Sequence, residues 1–186
     1  SALPAATAGT SAGTDGPTPT GPVPSAAPSL VAAAGLSPCP PSDASAATVD
    51  GGLPDLTLAC LGAGPPVRLA GLRGLPAVIN VWASWCEPCR EELPALQEVA
   101  AGTTGRVRFV GVDQSDLPDS ALGLLAATGV RYPSVSDPDG ASRAGLRAVA
   151  LPVTLLVRAD GTVAHRVAGP VADADALRAL LAEHLG

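Results

Sequence analysis

A chain of 186 residues can bury one proper core but not comfortably two, so one compact domain with a tail is expected. Its net charge is −6 and all 11 of its basic residues are Arg, which excludes the basic footprint of a nucleic-acid binder. It has no Met, so it reads as a processed or truncated product with any leader or anchor lying upstream; no stretch within it is long and apolar enough to span a bilayer.

Residues 1–38 are Ala, Pro, Ser, Thr and Gly with scattered Leu and Val, and the one charge among them is Asp15. This composition shows no periodicity and little apolar surface to offset the ordering entropy, which predicts a flexible tether ahead of a domain at 39–186. The alternative is that part of the segment, chiefly near Cys39, packs onto the domain. Leu56–Ala59 and Val67–Ala70 read as two short strands joined through Gly62-Ala63-Gly64-Pro65-Pro66, an N-terminal hairpin. Ala77–Trp82, apolar except for Asn80, suits a strand buried on both faces.

Glu87–Ala101 sets Leu93, Leu96 and Val99 on one helical face, with Arg90, Glu91 and Glu98 largely off it. Val107–Val112 is the next strand, residues 119–128 a helix, Tyr132–Val135 a short strand and Ala141–Leu146 a short helix. Val153–Val157 and Thr162–Val167 form a hairpin across an Asp160-Gly161 turn, and a helix from Asp173 to Leu185 closes the chain. The order predicts an α/β fold with a mixed sheet.

The chemistry lies between the third strand and its helix, in Trp82-Ala83-Ser84-Trp85-Cys86-Glu87-Pro88-Cys89. A C-x-x-C opening a helix after a buried strand carries a redox meaning, because the first thiol faces unpaired N–H groups and the positive end of the helix dipole. Cys86 is therefore the expected nucleophile. Cys89, one turn on, is placed to attack a mixed disulfide and release the product. A zinc site would need all four cysteines, and the spacing of Cys39 and Cys60 from the motif matches no zinc pattern.

From Leu53 onward the sequence resembles the thioredoxin superfamily, and more closely its TlpA/ResA-like branch of membrane-tethered extracytoplasmic reductases. Trp85-Cys86-Glu87-Pro88-Cys89 resembles the W-C-x-P-C of that family, Glu92-Leu93-Pro94 the E-x-P that follows it in this branch, and Leu151-Pro152-Val153-Thr154 the loop bearing a cis-proline. The resemblance implies a thioredoxin-like fold, a central mixed sheet flanked by helices with a helix-strand insertion at about 117–135, since the stretch from Cys89 to Pro152 exceeds the plain thioredoxin distance by about one such unit. It implies that Trp85, Leu151 and Pro152 line a groove where a client strand pairs with the Leu151 backbone. Plain thioredoxin is similar at Ala77–Trp82 but keeps a buried Asp where this chain has Asn80. Asn cannot take a proton, so Glu92, three residues past Cys89, is the expected base for the resolving thiol; the alternative is a solvated charge like Glu91 and Glu98. Pro94 is expected to kink the helix.

Cys39 and Cys60 are expected to form a structural disulfide closing a loop of about 20 residues, worth roughly 3 kcal/mol on the loop-entropy model. Such a bridge persists in an oxidising compartment, which favours the cell envelope; the resemblance implies an N-terminal anchor there. The alternative is two unpaired small core residues. His165 and His184, far in sequence from the motif, are expected to be surface groups.

Glu87 and Pro88 tune the pair: the carboxylate of Glu87 should disfavour the Cys86 thiolate and make the dithiol a good reductant. A reductant in an oxidising compartment needs a membrane thiol donor to recharge the pair, and the TlpA/ResA-like resemblance implies protein disulfide clients such as apocytochrome c or a copper-centre protein. No cofactor, metal or nucleic acid is expected, and the chain is expected to be a monomer. A Dsb-like disulfide oxidase or isomerase and a Cu(I) metallochaperone are the rival classes.

Overall fold

The computed structural model describes residues 26–186, so most of the expected tether, residues 1–25, lies outside the described residues. Seven strands make one sheet in the order β2-β1-β5-β4-β3-β6-β7. They are β1 (Thr57–Cys60), β2 (Val67–Arg68), β3 (Ala77–Trp82), β4 (Arg108–Gln114), β5 (Ser134–Asp137), β6 (Val153–Val157) and β7 (Val163–Ala168). β3, β4 and β5 run parallel, while β1, β2, β6 and β7 pair antiparallel, so the sheet is mixed.

β3 is buried at every position because both its faces are covered. Val78 and Trp82 point to one side, into a cluster built with α2 (Glu87–Gly102), α3 (Pro118–Thr128) and α5 (Ala174–Leu185); Ile79 and Val81 point to the other, against Leu53, Leu69, Leu72, Leu146 and Ala148. This period-two sorting is why a nearly continuous apolar run reads as a central strand. The helix-strand insertion expected at 117–135 is α3 with β5. At the far hairpin, Gly161 takes φ +88°, and Asp160 accepts from both the N–H and the hydroxyl of Thr162, which locks the turn.

The tether expectation needs correction at its end. Pro28–Ala34 forms helix α1, with Pro in its first turn and Gly35 closing it at φ +57°. Ala34 is fully buried, Leu30 and Val31 pack on the core, and Asp119 at the start of α3 accepts the Ala27 N–H at 3.0 Å. Seven residues are too few to hold a helix alone, so tertiary packing supplies what the local pattern lacks.

Smaller differences follow the same logic. The expected strand Val67–Ala70 keeps two residues, and Leu69–Gly71 turns as a 3-10 segment. β5 begins at Ser134 rather than Tyr132, α4 (Ser142–Gly145) is shorter than expected, and β4 runs two residues past Val112, which puts Asp113 inside the sheet.

Candidate active site

The turn after β3 delivers Cys86 to the N-cap of α2, and its sulfur accepts the Cys89 N–H at 3.3 Å. The two sulfurs are joined as a disulfide. Sequence pattern and geometry agree on why: β3 ends at Trp82, Pro88 suits the first turn of a helix, and the cap aims the Cys89 N–H at the first sulfur. Cys86 keeps 5% of its surface exposed and Cys89 none, so an attacking reagent meets Cys86 first. Both sulfurs belong to the cluster beneath α2, with Leu151 packed against it.

Glu92 is not a solvated charge. It is 2% exposed, and its two oxygens are held from two directions, by the Asn80 amide at 2.8 Å and by the Val171 N–H at 2.8 Å. Asn80 in turn donates to Thr154 Oγ1 at 3.2 Å, tying β3, β6 and α2 to one carboxyl. Burial pushes Glu92 up to about 7, against the pull of those two hydrogen bonds. A carboxyl that exchanges its proton near neutrality, one turn from Cys89, can serve as a general base.

The sign of that shift gives a test. Between the ordinary value of 4.5 and about 7 the folded protein holds a proton that the unfolded chain has released. Stability therefore falls as pH rises through this window, by on the order of 3 kcal/mol in all. Glu92→Gln should match the parent at pH below 4.5 and exceed it in stability above 7, as read by urea unfolding of the oxidised protein. Asn80 Oδ1, which has no hydrogen-bond partner among the described residues, offers an acceptor for the new amide. Glu91→Gln, on the exposed side of the same turn, is the control and should change little; an equal response from both variants would return Glu92 to the status of a surface charge.

The remaining expected site residues divide. Trp85 is 62% exposed beside Cys86, with its indole N–H on the Ser115 carbonyl at 3.0 Å. The Leu151–Pro152 peptide is cis, and the Leu151 N–H and C=O take part in no backbone hydrogen bond among the described residues. Pro88 lies in the first turn of α2 and Pro94 within it, without ending the helix. Glu87 stands in water, with a side chain 78% exposed and Arg90 at 3.7 Å, so its field at Cys86 is screened more than the sequence suggested.

Cys39 and Cys60 are bonded to each other, apart from the motif, joining the segment after α1 to the end of β1. His165 and His184, expected as unrelated surface groups, stack with ring centroids 4.0 Å apart and are each half-buried. Sequence reasoning missed Asp113, which is fully buried in β4 and pushed up to about 9, chiefly by burial and then by Asp116 and Asp137. The one signal available was an acid directly following the apolar run of that strand.

Comparison with known proteins bears on this arrangement. The model of the AhpC/TSA family matches residues 49–166. The thiol:disulfide interchange protein CycY of Rhizobium leguminosarum bv. viciae is 36% identical over 107 residues, 57% of this chain and 56% of that protein, so the match spans little more than half of the relative. The thiol:disulfide interchange protein HelX of Rhodobacter capsulatus is 36% identical over 122 residues, covering 64% of this chain and 68% of that protein. Among solved structures, a secreted Mycobacterium tuberculosis disulfide oxidoreductase homologous to E. coli DsbE is similar with a TM-score of 0.61 and 31% identity, over 69% of this chain and 96% of that one.

Proposed function

Because the chain belongs to the AhpC/TSA family and has the thioredoxin-like fold, we propose that it is an extracytoplasmic thiol-disulfide oxidoreductase that reduces protein disulfides. The observation that carries the reading is the Cys86–Cys89 pair capping α2, one turn from a buried carboxyl that titrates near neutrality.

In the reaction, the Cys86 thiolate attacks one sulfur of a client disulfide, breaking that bond and releasing the other client sulfur as a thiolate. Glu92 takes the proton of Cys89, whose thiolate then attacks Cys86 and frees the second client sulfur. The client gains two electrons and two protons, and the protein is left with the Cys86–Cys89 disulfide. The client approaches over Trp85 and pairs, as an extended strand, with the free backbone groups of Leu151 beside Pro152.

A membrane thiol donor would return the electrons, since the envelope is oxidising. The names of the relatives support protein thiols and disulfides as the clients, and the TlpA/ResA-like resemblance supports clients of the apocytochrome c or copper-centre kind and an N-terminal anchor on a monomeric domain. Among the described residues no helix is long and apolar enough to cross a membrane.

The reduction potential of the Cys86–Cys89 couple tests the direction of flow. A value at or below about −270 mV, the level of thioredoxin, is expected for a reductant; one near about −120 mV would assign the protein to the oxidases instead. The screening of Glu87 by Arg90 is the observation that keeps the oxidase as the second reading.

A further inference from the structure

On the face of the sheet away from α2, segments that the redox reaction does not use enclose a cavity of about 560 Å³. One wall is the stretch Gly51–Leu53, which is tied to the edge strand β7: Gly52 bridges Thr162, and Val163 donates its N–H to the Gly51 carbonyl at 2.9 Å. Another wall is the end of α4, at Leu146 and Arg147. Leu53, Leu146 and Leu155, each 2% exposed, make the floor apolar. The cations that line it are Arg147 and Arg166. Arg166 pairs with Leu155 across β6 and β7, so its side chain lies on the side of that floor. Its neighbour His165 pairs with Leu156 and turns its ring to the opposite face, onto His184 of α5.

No acid lines the cavity, although the chain carries 17 acids against 11 Arg. The ion pairs among the described residues are made by Arg68, Arg90, Arg178 and His184, which leaves Arg147 and Arg166 without a carboxylate. Arg166 is half-buried and donates from Nη2 to the carbonyl of Leu146, a bond that brings it to the segment bearing Arg147. Arg147 itself sits at φ +49° just past the end of α4, where a helix ordinarily closes on glycine. A residue with a Cβ is strained there, and no ion pair of its guanidinium offsets the strain. Strain of this kind collects at ligand clamps.

Two like charges over an apolar floor repel each other, and an anion between them turns that repulsion into attraction. A cationic rim above apolar side chains suits a molecule divided in the same way. We propose that this cavity binds a small organic anion, its carboxylate or phosphate head held by Arg147 and Arg166 and its apolar body resting on Leu53, Leu146 and Leu155. The planar fork of arginine suits both heads, because each offers two oxygens to paired N–H donors. The site does not rest on the proposed reductase function, since Cys86 and Cys89 belong to the cluster on the other face of the sheet.

Amide NMR titration of the oxidised protein, at neutral pH and fixed ionic strength, tests this with phenyl phosphate and phenylacetate as probes. At least one should give saturable shifts centred on Gly52, Leu146 and Val163, and the tighter of the two identifies the head group. Arg147→Gly should fold at least as well as the parent, since glycine accepts that backbone, yet bind the probe about tenfold more weakly or worse. Arg143→Ala removes the same charge from α4 without lining the cavity and should bind within about twofold of the parent. Should the glycine variant not fold, Arg166→Gln decides by the same loss, because it keeps an N–H donor and drops the charge. A titration flat with both probes overturns the proposal, as does an equal loss in Arg147→Gly and Arg143→Ala. Equal binding of benzyl alcohol, which has the apolar body without the charge, overturns it too.

Discussion

Cys86→Ser should lower the rate of client disulfide reduction by on the order of a thousandfold or more, because a serine hydroxyl cannot take part in disulfide exchange and no other thiol stands at the helix cap. Cys89→Ser should behave differently. It keeps the nucleophile but removes the thiol that resolves the intermediate, so a client covalently joined to Cys86 should accumulate and be visible on a non-reducing gel. The residual exposure of Cys86 against none at Cys89, and the Cys89 N–H aimed at the Cys86 sulfur, point the same way. Brief alkylation of the reduced protein followed by mass spectrometry checks the order. Faster labelling of Cys89 than of Cys86 would exchange the two roles.

Removing the second bridge should cost stability rather than activity. Cys39 and Cys60 are 21 positions apart, a loop whose closure restrains the unfolded chain by roughly 3 kcal/mol. Cys39 is 3% exposed, and its backbone N–H is held by the Ala63 carbonyl at 2.8 Å, so the native segment stays ordered and the loss falls mainly on the unfolded side of the balance. A Cys39→Ala, Cys60→Ala double variant should therefore unfold at markedly lower urea concentration while exchanging thiols at nearly the parental rate. The parent bridge should also survive mild reductant that opens Cys86–Cys89, because a structural disulfide has the lower reduction potential. Loss of less than about 1 kcal/mol would show that the loop is held by packing alone. Both cysteines found as free thiols in exported protein would remove the bridge as support for an envelope location.

Two kinds of information separate in this chain. Strand β3, helix α2 and the closing helix were legible from periodicity, and the C-x-x-C from its position between a buried strand and a helix; these are local properties, carried by residues a few positions apart. The two disulfides also follow the expected pairing of the four cysteines. The sequence could place Glu92 on the helix face below Cys89, but not say that it is buried. That depends on Asn80, twelve positions earlier, and on Val171, which approaches only when α5 docks. Helix α1 is the same case, a segment too short to be helical until α3 gives it a surface. Asp113 looked like the first residue of a loop and became a fully buried acid, because β4 runs on past Val112 between β3 and β5. The sequence by itself determined the kind of scaffold and singled out Cys86 and Cys89 as the thiols expected to react, while tertiary structure decided which carboxyls are desolvated, since desolvation sums over neighbours the chain assembles from distant positions.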